Sequence, residues 1–377
     1  MFRRLFQKRL RKREIEEEFE AHLASNRELL EECGLSREKA ELHARRLFGD
    51  RSRLAEETRV FAGLSPAVPF RFMRILLALA ALLVAAVAVD AKDYFLFAYF
   101  EEPAKSGVYY ALSTDGYHWT PLNSARPIFA PEYPGELMRD IFITRGPDGE
   151  FHAVWTWGWR ERRIGYAHSA DLVHWSPQQQ IPLMEKVPGT VHTWAPEIYW
   201  DKASARWLIL WSSITAEESR NRIFYSFTRD FRDFTPPAVF FDPGYDVIDA
   251  TILRDRSRYV LVFKDQTKNP LRFMLRLAEG PALLGPWSHI SDPFTESWSE
   301  GPSALKIGRY YFIYYDHYRA APQRETKRYE AVRSTDLKHW ESINDEISFP
   351  EGCKHGSFVR LTPNEAQRLQ KIEITPP

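Results

Sequence analysis

The sequence predicts an all-β fold, a five-bladed β-propeller, preceded by a small helical segment and one transmembrane helix. Three observations carry that expectation. A short motif, a hydroxyl residue followed by an acid and then an aromatic, recurs along the second part of the chain. No Trp or Tyr precedes Tyr94, and all 12 Trp and 17 Tyr lie from that residue onward, so two compositionally distinct parts are joined. Between them, Ile75 to Val89 is an unbroken apolar run of fifteen residues.

The repeats decide the fold of everything after Lys92. The motif runs from Ser113 and Asp115 to Trp119, from Ser169 and Asp171 to Trp175, from Thr228 and Asp230 to Phe234, and from Ser334 and Asp336 to Trp340. A degenerate copy ends at Trp287, and the five aromatic anchors are 56, 59, 53 and 53 residues apart. Runs rich in β-branched and aromatic residues precede these motifs, such as FHAVWTW, RWLILWSS, RYVLVFKD and RYYFIYYD, and they read as strands. Five such units of three or four strands indicate five propeller blades. An apolar strand with a polar signature begins each unit: RDIFI, WAPEI, VIDATIL, EGPSAL and HGSFVRL. The last of these, around His355, has no blade behind it. The hairpin starting at Tyr94 has no such strand ahead of it. Pairing the two closes the ring.

Ahead of the propeller, residues 1–62 read as a helical prefix. Ile15, Phe19, Leu23, Leu30 and Cys33 recur at helical steps before Gly34, and a second helix capped by Ser36 carries Ala40, Ala44, Leu47 and Phe48. With Arg71 and Arg74 snorkelling outward, residues 70–91 approach bilayer width and read as a transmembrane helix. A cleaved signal peptide is the alternative, but its n-region would exceed seventy residues. Seven Lys/Arg and no acid in residues 1–13 place the N-terminus in the cytoplasm. The domain at 92–377 is then periplasmic or extracellular, anchored to the membrane through one helix, and Cys33 and Cys353 lie in different compartments. The segments EIEEEFEAHL and GLSREKAELHARRLFGD resemble the prefix domain of some bacterial permeases.

With 51 basic and 51 acidic residues, the chain lacks the basic excess of a nucleic-acid binder, and no nucleic acid is expected as a partner. No zinc-type spacing, phosphate loop or nucleophile elbow occurs. The first strand of each blade lines the axis of a propeller, so Asp140, Glu197, Asp249, Glu300 and His355 converge there from distant positions. Four acids and an imidazole are costly to desolvate unless hydrogen-bonded, metal-bound or functional. The candidate sugar contacts are Trp194 and Glu197 at the axis, Trp157 from the alternating Trp155, Trp157 and Trp159, and Lys264 and Asp316 at the ends of second strands. Packing or turn closure is the competing role for these. His118, His174 and His339, each just before a repeat aromatic, read as structural.

The motifs RD, WAPE, IDATI, EGP and HGS, in that order at blade spacing over residues 93–362, resemble glycoside hydrolase family 43. The resemblance implies inverting hydrolysis of pentose-containing, arabinan- or xylan-type oligosaccharides. It implies Asp140 as general base, Asp249 as the acid that orients and tunes its partner, and Glu300 as general acid. His355 matches a central histidine that in many members binds calcium or its waters; no other cofactor is expected. The family's proline after the base is replaced here by Ile141. An inverting pair stands about 6.5–9.5 Å apart to admit a water, which two facing blades of a small ring allow. A non-catalytic carbohydrate-binding propeller serving a membrane-anchored sensor is the alternative reading, and transfer of another sugar such as fructose is a third.

Overall fold

A computed structural model describes residues 36–39, 93–255, 258–318 and 328–374. Apart from residues 36–39, of which 37–39 are helical, the prefix expected over 1–62 lies outside the described residues. So does the helix expected over 70–91. Among the described residues no helix is long and apolar enough to cross a membrane. This corrects the transmembrane helix, and the membrane attachment and periplasmic or extracellular placement that depended on it: none has support among the described residues. The apolar run of fifteen residues is itself shorter than the roughly 20 that a spanning helix needs.

The rest is all-β. The N-terminal hairpin comprises β1 (Tyr94–Tyr99) and β2 (Tyr109–Ser113), with the short β3 (Thr120–Pro121). A second sheet follows: β4 (Arg139–Arg145), β5 (Phe151–Thr156), β6 (Ile164–Ser169) and β7 (Gln179–Ile181). The third contains β8 (Trp194–Asp201), β9 (Arg206–Thr215), β10 (Glu218–Thr228) and β11 (Ala238–Phe241). The fourth has three strands, β12 (Val247–Asp255), β13 (Arg258–Asp265) and β14 (Met274–Gly280). The fifth has β15 (Ser299–Ile307), β16 (Tyr310–His317), β17 (Arg328–Ser334) and β18 (Glu341–Ser342). The last strand, β19 (Ser357–Leu361), pairs antiparallel with β1, from Tyr94 opposite Leu361 to Ala98 opposite Ser357. The first sheet thus runs β19-β1-β2-β3, and the ring is closed by the two ends of the domain, as the unmatched strand and hairpin predicted.

Strand periodicity explains why the blades stack. Successive side chains of a strand face opposite sides, so alternate residues enter alternate cores. Leu96 and Ala98 pack with Ile141, Ile143 and Trp155 between the first and second blades. Phe95 and Phe97, on the other face of the same strand, pack with Phe312 and Tyr314 of the fifth. Val154 joins Ile198 and Ile209 between the second and third, and Leu208 and Leu210 join Ile252 and Leu261 between the third and fourth. Val260 and Val262 meet Tyr311 and Ile313 between the fourth and fifth. Five cores join five sheets in a circle, so every blade depends on two neighbours.

The recurring motif is a turn device. Asp115 accepts backbone N–H groups from Tyr117 (2.7 Å) and His118 (2.9 Å), and its other oxygen meets His118 Nδ1 at 2.9 Å. Asp171 with His174 and Asp336 with His339 repeat the arrangement. The three histidines are structural, and the acids serve as anchors of tight turns. After β19, Thr362 and Glu365 form a capping box on the helix α1 (Pro363–Leu369).

The closure leaves no room beside Gly356, where a Cβ would sit 1.9 Å from the carbonyl oxygen of Ala98 on β1. Gly356→Ala should therefore push β19 off β1. Overpacking of this kind costs about 1–3 kcal/mol, so thermal denaturation should show Tm falling by several degrees. An unchanged Tm would show that the closing pair does not hold the ring.

Candidate active site

Four innermost strands share one irregularity. Register shifts interrupt β4 between Arg139 and Phe142, β8 between Trp194 and Glu197, β12 between Ile248 and Thr251, and β15 between Glu300 and Ser303. At each bulge one residue adopts positive φ: Asp140 (50°), Ala195 (45°), Asp249 (54°) and Gly301 (59°). Bulges re-aim side chains next to active sites, and Asp tolerates the left-handed region better than most residues. At Gly301 a Cβ would meet the His355 ring at 2.5 Å, so only glycine fits.

At two of the bulges the second strand of the neighbouring blade accepts from the bulged residue's N–H, and an equivalent bond reaches His355 ahead of β19. Ala195 N–H donates to Thr156 Oγ1 (2.8 Å), Asp249 N–H to Ser212 Oγ (3.0 Å) and His355 N–H to Asp316 Oδ2 (3.1 Å). Thr156, Ser212 and Asp316 stand opposite Arg139, Trp194 and Glu300 in their own sheets, so they are equivalent positions. Lys264, opposite Ile248, is the fourth. It has no acceptor to offer. Instead its Nζ donates to Glu300 Oε2 of the next blade at 2.8 Å, and Gly301 N–H finds Asp249 Oδ2 at 3.0 Å.

These positions surround a cavity of about 190 Å³ lined by Asp140, Asp249, Glu300, Asp316 and His355, with Arg139, Thr156, Trp159, Trp194, Ile248 and Gln266. Asp140 Oδ2 accepts from Thr156 (2.8 Å), and Oδ1 lies 3.3 Å from His355 Nδ1. Burial works to raise the Asp140 pKa, but His355, Arg139 and Thr156 together hold it below the usual carboxylate value. Burial likewise opposes the charge on His355, yet the bond to Asp140 and the nearby Asp249 and Glu197 raise it to about 9. The two form an ion pair at neutral pH. Asp249 is raised to about 6, by burial first and then by Glu300 and Asp140, against the pull of His355 and Lys264. Asp316 is raised to about 6 by burial, with Lys354 opposing and Glu300 adding to the rise.

Lys264 is buried, at 1% exposure, with Tyr318 Oη 3.2 Å from its Nζ, so it faces Glu300 and not solvent. Glu300 keeps 29% of its side chain exposed. Glu197 is buried outside the cavity lining and accepts a short hydrogen bond from the Tyr199 hydroxyl. Trp157, at 7% exposure, packs on Tyr133 with centroids 5.2 Å apart. The exposed indole of that run is Trp159, at 55%, lying over the Arg139 guanidinium at 4.1 Å and edge-on to Trp194 at 6.1 Å. Ile141 is buried between the first two blades.

Around His355, where the resemblance implies calcium or its waters, Asp140, Asp249 and Asp316 each accept a hydrogen bond from the protein, and the imidazole is held by Asp140. No group of three His, Cys, Asp or Glu among the described residues is arranged to hold a metal.

Sequence reasoning missed Thr156, Ser212, Arg139 and Gln266. The signal for the first two was present: a polar residue ends each apolar second strand at the same register, in FHAVWT, RWLILWS and RYYFIYYD.

A family model for a probable glycosyl hydrolase domain, a relative of glycoside hydrolase family 43, matches residues 90–367. An α-L-arabinofuranosidase of Bifidobacterium longum is 26% identical over 160 residues, 34% of this chain and 15% of that protein. The chain thus spans about a seventh of the length of that relative. Among solved structures, a thermostable family-43 glycoside hydrolase has 16% identity and a TM-score of 0.47, over 58% of this chain and 78% of the other. An α-L-arabinofuranosidase from Lactobacillus brevis has 16% identity and a TM-score of 0.42, over 55% and 72%. With a family model spanning the whole propeller, the chain belongs to the probable glycosyl hydrolase family related to glycoside hydrolase family 43.

Proposed function

We propose that the propeller hydrolyses glycosidic bonds in pentose-containing oligosaccharides of the arabinan or xylan type, by single displacement with inversion. The observation that carries this reading is the meeting of Asp140, Asp249 and Glu300 in one cavity, with Asp140 held ionised. An ionised carboxylate fixed by Thr156 and His355 is suited to accept a proton from water. Glu300, the most exposed of the three, is suited to reach the glycosidic oxygen, and Lys264 orients it. Asp249 binds the backbone of Gly301, next to Glu300, and so fixes where that acid stands. Three acids in one sugar-sized cavity favour catalysis over the sugar-binding alternative. Trp194 and Asp316 complete the wall against which a sugar ring rests. Residues 1–62 serve as a helical prefix similar to that of some bacterial permeases.

Proton NMR of the first product formed from a pentoside should show inverted anomeric configuration; retention would exclude the assigned roles. Asp140→Asn should reduce kcat/KM by about 10²–10⁴ for every leaving group, the range ascribed to acid–base catalysis. Glu300→Gln should cost a similar factor on natural oligosaccharides but much less on aryl pentosides, whose leaving groups need little protonation. Equal losses on both substrate types would remove Glu300 as the acid.

Glu197 makes a different prediction. Burial raises its pKa to about 8, and only partly do Tyr199 and His355 oppose this. The folded protein therefore retains a proton that the unfolded chain, with an ordinary glutamate, releases above about pH 4.5. Stability contributed by this site falls as pH rises from there to about 8. Glu197→Gln mimics the protonated form and should raise stability in that window, by up to a few kcal/mol at its upper end. Denaturant melts at pH 4 and pH 8 check this: a gain that does not grow with pH would contradict a protonated Glu197.

A further inference from the structure

Outward from the acids, the cavity wall changes from charge to aromatic surface. Asp249 and His355 are buried, Trp194 is half-buried, and Trp159 is exposed. Of the residues lining the cavity, Trp159 is the one large hydrophobic side chain left exposed among the described residues. A single exposed indole is ordinary in itself. What sets this one apart is how firmly it is held.

The Arg139 guanidinium covers one face of Trp159, 4.1 Å from the ring centre, lies in turn over Phe100 at 4.7 Å, and donates to Glu102 at 2.6 Å. Trp194 closes against the edge, with the two ring planes 86° apart. Its indole N–H also donates to the Trp159 carbonyl at 3.1 Å, so the backbone of the loop after β5 is pinned together with the ring. Trp194 is backed by the imidazole of His192, nearly parallel to it at 9° and 3.6 Å away, and His192 Nε2 donates to Asn221 Oδ1 at 2.7 Å. The two indoles therefore form a fixed right-angled corner.

With one face of Trp159 on Arg139 and more than half of the residue exposed, the opposite face is the part left open. A tryptophan offers a large, rigid contact area because only two side-chain torsions need fixing. Here both are fixed before a ligand arrives, which lowers the entropy lost on binding. The C–H face of a sugar ring is a flat apolar surface that such an indole can cover. The ring under attack stands between Asp140 and Glu300, against Trp194 and Asp316, so Trp159 at the rim is left for the next ring of the chain.

We propose that Trp159 is the stacking platform for a second sugar ring, the neighbour of the one cleaved, and so acts as a residue that sets a preference for oligosaccharides over single pentosides. This rests on the glycosidase reading above. Contact with a non-reacting part of the substrate raises kcat/KM when its binding energy is used in the transition state.

The test measures kcat/KM of the full chain on methyl pentosides and on arabino- and xylo-oligosaccharides of two and three units. Wild type should prefer the oligosaccharides by about 10–100-fold, the scale on which truncation of a well-packed aromatic contact is felt. Trp159→Ala should reduce that preference by about tenfold or more, whereas Trp159→Phe, which keeps a flat face, should retain most of it. The preference is a ratio within one protein, so a general loss of folded enzyme cancels from it. Equal losses by Trp159→Ala on both substrate types would overturn the proposal, because the indole would then serve the ring being cleaved or only shield Arg139. So would a Trp159→Phe as impaired in its preference as Trp159→Ala. A wild type that hydrolyses both types equally well overturns this assignment alone, and one that hydrolyses neither overturns the glycosidase reading and this one with it.

Discussion

The site depends on hydrogen bonds that pass from one blade to the next. Left-handed backbone at a non-glycine residue costs about 1–3 kcal/mol and persists only where its surroundings over-determine it. Asp140 and Asp249 are in that region, and the bulges that put them there deprive the local backbone of strand partners. Asp249 N–H is satisfied by Ser212 of the preceding blade, and its own carboxylate satisfies Gly301 of the following one. The last step, from Asp316 to His355 N–H, crosses the closure of the ring. Placement of the acids and closure of the propeller are therefore one constraint, and displacement of β19 from β1 reaches the cavity through His355.

Charge follows the same geometry. Burial penalises every ionised group at the axis, and neighbours decide how far that penalty is opposed at Asp140 and Glu197. Asp140 faces His355 and is held low; the imidazole is held high in return. Glu300 is given Lys264 because the fourth blade has a donor where the others have acceptors. Glu197 has a phenol for its nearest partner and keeps its proton instead. Acids of similar origin in the sequence thus acquire different protonation states from neighbours that the sequence places far away.

The blades were legible because their signals are local. Strand alternation, the turn motif and the unmatched strand around His355 each lie within a few residues, and together they dictate the ring. The axial acids were legible for the same reason, since each opens a strand. What was not legible depends on a second strand's register against a bulge in the next blade. Thr156 and Ser212 look like strand ends in sequence, and Lys264 reads as a sugar contact or a turn closer until its register opposite Ile248 turns it toward Glu300. Trp157 and Trp159 share a face by alternation, but the chain leaves β5 at Thr156. Alternation thus ceases to govern beyond that point, and Trp159 rather than Trp157 lines the cavity.

Ile141 illustrates how the same ring absorbs a departure from the family pattern. A proline after the base restricts the preceding residue covalently, because its ring disfavours part of the backbone space open to that residue. Ile141 imposes no such restriction. Here Asp140 is fixed instead by three non-covalent constraints: Thr156 on one oxygen, His355 on the other, and burial of Ile141 itself in the core between the first and second blades. Thr156 is in turn held by Ala195 N–H of the third blade. The orientation that a proline would supply locally is supplied by four blades at once, those carrying Thr156, Ala195, Asp316 and His355, so the carboxylate stays aimed at the axis.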